Sequence, residues 1–153
     1  MEAVIYLLAT DTVIFMVRGL KSSRRPSQRQ RAEHLVRRCR GAQAAGDVVG
    51  LSAVTVSELE FGARLSGQYE SERQAVHKVL TPFEIFDYDG VSCPAHYGRI
   101  RHDLEAKGIT IGSMDLLIAA HALALDATLV SNNVAHFSRV AGLKTANWLS
   151  QPK

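Results

Sequence analysis

Residues 3–8 read Ala-Val-Ile-Tyr-Leu-Leu, a short run with no polar residue alternating through it. A strand with one face in water alternates apolar and polar side chains, so an unbroken run calls for cover on both faces. Residues 48–51, 83–86 and 128–130 read as further short strands. Between them lie segments of helical pattern at 12–19, 30–45, 54–65, 69–80, 93–107 and 113–125, several closed by a glycine. Residues 21–28 are basic and polar, carry Pro26 and read as a loop, and 137–148 reads as short closing elements. Strands that alternate with helices predict an α/β fold, three layers deep, with a central mostly parallel sheet and helices on both faces. Sites in such sheets lie beyond the carboxyl ends of the strands. That directs attention to residues 9–11, 52–58 and 131–133. No internal repeat or linker divides the chain, so 1–153 is expected to be a single domain.

Several classes are excluded by composition. No apolar run approaches the roughly 18–20 residues a membrane helix needs, and the short opening run follows the acidic Glu2 rather than basic residues. Cys39 and Cys93 form neither a zinc spacing nor a disulfide framework. Two reduced thiols and a cytoplasmic location are the expectation.

The net charge of +3 conceals an asymmetry. Residues 21–40 hold eight basic side chains (Lys21, Arg24, Arg25, Arg29, Arg31, Arg37, Arg38 and Arg40) against the single acid Glu33, and the remainder of the chain is net acidic. A basic arm on an acidic body suits a polyanion such as RNA, with Arg24, Arg25, Arg29 and Arg31 as candidate contacts. A solvated helix face, or a surface for an acidic protein, fits the same charges.

Among the acids, Asp115 opens a helix, Met114 to Ala122, that is apolar nearly all round and is therefore expected to be buried. At ~100° per residue Asp115 shares a face with Ala119 and Ala122, small residues that leave room for a ligand. An N-terminal charge balancing the helix dipole is the alternative; the apolar neighbours favour a site. Glu58 ends Thr55-Val56-Ser57-Glu58, the spacing of a capping box, and taken alone it reads as a cap. Asp11 reads as an early-turn acid, Asn132-Asn133 as a turn, and His121 as a helix histidine on another face from Asp115. No glycine-rich phosphate loop and no Ser-His-Asp arrangement is present.

These residues fall into a known pattern. YLLATDTVIF resembles the PIN-domain opening YLLDTNxxI, and SAVTVSELEFGA resembles SxxTxxELxxGA. The stretch from YGRIRHDLEAKGITIGSMDLLIAAHA to the final NW is similar to the VapC toxins of the PIN-domain family. The resemblance spans almost the whole chain, and the third block is the most specific.

The resemblance implies a three-layer PIN fold, homodimerisation, Mg²⁺-dependent (or Mn²⁺-dependent) endoribonuclease activity on structured RNA such as tRNA, and inhibition by a VapB-type antitoxin. Carried over by position, Glu58 and Asp115 become acidic metal-binding and catalytic residues, and Asn133 a catalytic polar group. Thr10 and Asp11 become site-orienting residues. Two departures stand out. Ala9 occupies the position of the family's first metal-binding Asp, and His136 stands where many members have Glu or Asp. Loss of one ligand from so few is expected to weaken Mg²⁺ and impair cleavage while relieving repulsion among the acids. The competing readings are a non-catalytic PIN module that binds RNA or a protein, and a PIN nuclease of general RNA processing.

Overall fold

A computed structural model describes residues 2–21 and 25–149. Five strands, β1 (Ile5–Leu8), β2 (Val48–Ser52), β3 (Glu84–Phe86), β4 (Thr128–Val130) and β5 (Lys144–Ala146), form one sheet in the order β3-β2-β1-β4-β5. Every neighbouring pair is parallel. The helices are α1 (Thr10–Gly19), α2 (Pro26–Ala44), α3 (Ala53–Leu65), α4 (Tyr69–Leu80), α5 (Cys93–Ala106), α6 (Ser113–Ala124) and the short α7 (Val134–Phe137).

The unbroken apolar strands serve two cores. Leu7 and Leu129 belong to the core built with α5 and α6, which includes Ile100, Leu104, Leu116 and Ile118. Their neighbours Leu8 and Val130 belong to the core built with α1 to α4, which includes Val13, Met16, Leu35, Leu59 and Leu80. Successive strand residues point to opposite faces, so both faces are sealed and three layers result.

One boundary differs from the sequence expectation. The stretch assigned to a loop at 21–28 contains the start of α2, because Pro26 sits in the first turn. There its missing N–H costs nothing and its fixed φ favours the helix. The helix docks closely on α1: a Cβ on Gly19 would come within 2.5 Å of Ala32 Cβ. Among the described residues no helix is long and apolar enough to cross a membrane.

The sheet reverses its order of growth between β1 and β4, the point at which parallel sheets open a crevice at their carboxyl edge. α1 and α3 begin at that edge, directly after β1 and β2, and α6 begins there because it descends to the start of β4. Their positive dipole ends therefore gather on one side of the molecule.

Candidate functional site

Three hydrogen-bonded groups occupy this edge. The first joins α1 to α3. Thr10 Oγ1 lies 2.7 Å from Glu58 Oε1 and 3.0 Å from Thr55 Oγ1. A carboxylate only accepts, so Thr10's single hydrogen goes to Glu58 and Thr55 donates to Thr10. The capping-box reading of Glu58 is thereby corrected. Ser52 is the N-cap of α3, its hydroxyl accepting from Val54 N, and Glu58 is more than a turn inside the helix.

The second group joins α1 to the loop after β4. Asp11 accepts from its neighbour Thr12 N at 2.9 Å, from Ser131 Oγ at 3.0 Å and from Asn132 N at 2.9 Å. Ser131 Oγ in turn accepts from Asn133 N. Asn133 is exposed and leads into α7, with no cap bond from its side chain.

The third group joins α6 to α7. His136 Nε2 lies 3.2 Å from Asp115 Oδ2, and Arg139 sits 2.8 Å from His136 Nδ1 while also donating to the His136 carbonyl. Arg139 has only donors, so Nδ1 accepts and the ring is held as the Nε2–H tautomer, donating to Asp115. Arg139 escaped the sequence reading; its only signal there is the three-residue spacing from His136. The helix is buried as expected, while 41% of the Asp115 side chain at its start is exposed. Its position in the first turn of α6 lifts it to the mouth of the edge, while Ala119 and Ala122 below are fully buried.

Ala9 closes β1 and caps α1 with backbone alone. It is 2% exposed and its methyl joins the α6-side core. The end of the central strand thus offers no side-chain oxygen to the edge at this position. Among the described residues, no group of three or more His, Cys, Asp or Glu side chains comes together in a way that could hold a metal ion. Two carboxylate oxygens nonetheless make no hydrogen bond among the described residues: Glu58 Oε2 and Asp115 Oδ1. Each is a hard oxygen of the kind Mg²⁺ takes, one or two carboxylates beside several waters; no full carboxylate cage is formed among the described residues.

None of the described candidate RNA contacts bonds to these groups. Arg24 falls outside the described residues. Arg25 precedes α2 as its N-cap. Arg29 is paired with Glu33 at 3.0 Å, which cancels part of its charge. Arg31 packs over the Phe15 ring at 5.3 Å. Beside Asp11, a groove of about 520 Å³ is lined by Ile14, Phe15, Arg18, Gly19 and Gln28.

Comparison with known proteins agrees with this architecture. The family model described as PIN domain matches residues 27–143. A protein named ribonuclease VapC2, from Rickettsia felis, is 38% identical over 105 residues, covering 69% of this chain and 78% of that one. The tRNA(fMet)-specific endonuclease VapC of Shigella flexneri is 35% identical over 98 residues, covering 64% of this chain and 74% of that one. The crystal structure of VapBC2 from Rickettsia felis bound to a DNA fragment of its promoter superposes with a TM-score of 0.76 at 33% identity, covering 94% of this chain and 98% of that one. With the fold, the acidic edge and the family match in agreement, the chain belongs to the PIN-domain family and, within it, to the VapC proteins.

Proposed function

We propose that this chain is the toxin of a type II toxin–antitoxin pair: a cytoplasmic, homodimeric, Mg²⁺-dependent endoribonuclease acting on structured RNA of the tRNA class, with catalysis impaired by Ala9. The observation that carries this reading is the pair of unengaged oxygens, Glu58 Oε2 and Asp115 Oδ1, on helices that both open at the carboxyl edge of the sheet. The names borne by the relatives support the reaction class.

Glu58 and Asp115 would hold the Mg²⁺, with Mn²⁺ as a substitute. When bound, the ion supplies neutralisation of phosphodiester charge and activation of water. The remaining roles fall to the chain itself. Thr10 fixes one Glu58 oxygen and leaves the other outward. His136, aimed by Arg139, does the same for Asp115. Asp11 ties down the loop at 131–133 and so presents Asn133 at the rim. The N-termini of α1, α3 and α6 favour a phosphate at this edge. Ala9 contributes only a buried methyl. An antitoxin of the VapB type, with an acidic or apolar tail in the groove beside Asp11 and a basic side chain reaching Glu58 or Asp115, would silence the site.

The test is cleavage of a structured RNA, with Mg²⁺ and with a chelator, by the chain as it stands and by Ala9→Asp. The substitution is expected to restore Mg²⁺-dependent cleavage, and adding Asp115→Ala to abolish it again. Ala9 also favours a second reading, a non-catalytic module. An Ala9→Asp protein inert on every RNA establishes that second reading. Full activity without the substitution removes Ala9 from the ligand position.

A further inference from the structure

A second groove, of about 400 Å³, lies between α2 and the flank of the sheet, lined by Tyr6, His34, Arg37, Arg38, Asp47 and Trp148 together with small residues of α2. It shares no lining residue with the groove beside Asp11. Tyr6 is in the middle of β1, and Asp47 precedes the amino end of β2, where α2 finishes. His34, Arg37 and Arg38 are three and four residues apart, so they share one surface of the helix.

The charged lining of the groove is mainly basic. The Arg38 guanidinium lies against the Trp148 ring at 5.4 Å, and Trp148 rests on Tyr6 with centroids 4.9 Å apart. Trp148 is only 4% exposed: it is a floor that aims Arg38, not a platform for a base. Stacking leaves the guanidinium's edge N–H groups free for a phosphate fork. Among the described residues neither Arg37 nor Arg38 has a hydrogen bond or an acidic partner, and His34 Nε2 is buried without one. The one acid in the groove, Asp47, has Oδ1 taken by Val4 N at 3.0 Å.

The row of charge also extends. Arg31 stands seven residues before Arg38, hence on the same flank about 10 Å along the helix. Its seat, Phe15, lines the groove that includes Asp11. The positive track therefore runs from the second groove toward the acidic edge, which suits an extended polyanion better than a single phosphate.

We propose that the His34–Arg37–Arg38 groove holds the phosphodiester backbone of the RNA at a point remote from the cleavage site, an exosite that fixes how the substrate lies across the protein. This rests on RNA being the substrate, and binding is therefore measured without cleavage. The full chain is titrated with a structured RNA, labelled at one end, in chelator at several salt concentrations. Trp148, the only tryptophan of the chain, supplies an intrinsic signal from the floor. Arg37→Gln with Arg38→Gln is expected to weaken binding about tenfold near 0.1 M salt and to lower the slope of log affinity against log salt by between one and two. Arg37→Gln alone, an exposed change that leaves the Trp148 packing intact, is expected to give about a threefold loss. RNA is expected to shift Trp148 emission, and Arg99→Gln on α5 to leave affinity unchanged. RNA binding that neither groove variant alters overturns the exosite and leaves the ribonuclease reading standing. Equal loss in Arg99→Gln reduces the effect to overall charge and overturns it also. Unchanged RNA binding with loss of a co-expressed antitoxin makes the groove a protein interface instead. No RNA binding by the parent chain overturns the exosite and the substrate reading together.

Discussion

Thr10 donates to Glu58 across 2.7 Å while accepting from Thr55 across 3.0 Å, so the candidate site carboxylate is the end of a three-member chain joining α1 to α3. Thr55 is fully buried, so its hydroxyl cannot turn to solvent when the middle member is lost. Thr10→Val is expected to cost about 2–3 kcal/mol, because it removes a bond to a charged acceptor and strands the Thr55 hydroxyl. Thr55→Val, which removes only the distal donor, is expected to cost about 1 kcal/mol or less. Urea unfolding of the two variants checks the ordering. Equal losses would show that the hydroxyls do not act in series.

Asp11 makes a second prediction. Its carboxylate accepts from Ser131 Oγ and Asn132 N, across 120 and 121 residues of chain. Asp11→Ala leaves the fully buried Ser131 without that acceptor. A loss of about 3 kcal/mol is expected, the size of charge-assisted bonds removed together. Hydrogen exchange at the Asn132 amide is expected to speed up in step, since the loop loses its tether. Normal protection there would show that the loop is held by its own turn.

His136 makes a third. Here a donor, held by Arg139, faces Asp115 at 3.2 Å, in the position where the family pattern places an acid. His136→Asp in the Ala9→Asp protein would set a carboxylate beside Asp115 and raise the charge offered to a cation. Divalent affinity is expected to rise about tenfold, since a unit charge pair at ~4 Å is worth about 1 kcal/mol even at the dielectric of water and the cation carries two charges. Calorimetric titration of the stripped protein with Mn²⁺ reads this. Unchanged affinity would mean that position 136 does not face the ion.

Much of this arrangement is legible in the chain, and the exceptions have physical causes. Leu7-Leu8 and Leu129-Val130 are apolar in sequence because each pair feeds two different cores, and that is enough to call for a parallel sheet covered on both faces. Lys144-Thr145-Ala146 carries no such signal, and β5 exists through its ladder to β4. Pro26 reads as a breaker in the sequence but sits in the one turn of a helix that tolerates it. Asp11 and Glu58 are legible by position after strands, Asp115 by the apolar helix it opens, and all three by resemblance. Their partners were not, because the contacts from Thr10 to Glu58 and from His136 to Asp115 join separate helices and leave no periodicity to read. The cap reading of Glu58 failed for the same reason: local spacing describes a helix terminus, whereas the residue is spoken for by another helix.

The last prediction concerns His121, which ties α6 to the cap of α3. It is 1% exposed, its Nδ1 is 2.7 Å from Ser52 Oγ, and among the described residues its Nε2 meets no partner at full hydrogen-bond geometry, only the nearby Asp87 backbone. Burial pushes its pKa below the ordinary 6.5, against a weaker upward pull from Asp87 and Asp89. The folded protein therefore resists protonation that the unfolded chain accepts. Above about pH 6.5 the ring is neutral in both states and its contribution to stability is complete. Below that, the unfolded chain binds the proton first, and stability falls as pH falls until the folded pKa is reached. The slope contributed by one such group is at most about 1.4 kcal/mol per pH unit. His121→Gln keeps a hydrogen-bonding partner for Ser52 but cannot titrate in this range. Its unfolding free energy is expected to be lower than the parent's at pH 7 and to change less between pH 7 and pH 5. Urea unfolding at a series of pH values measures both. A variant with the parent's full slope would place the acid sensitivity elsewhere and leave His121 as packing alone.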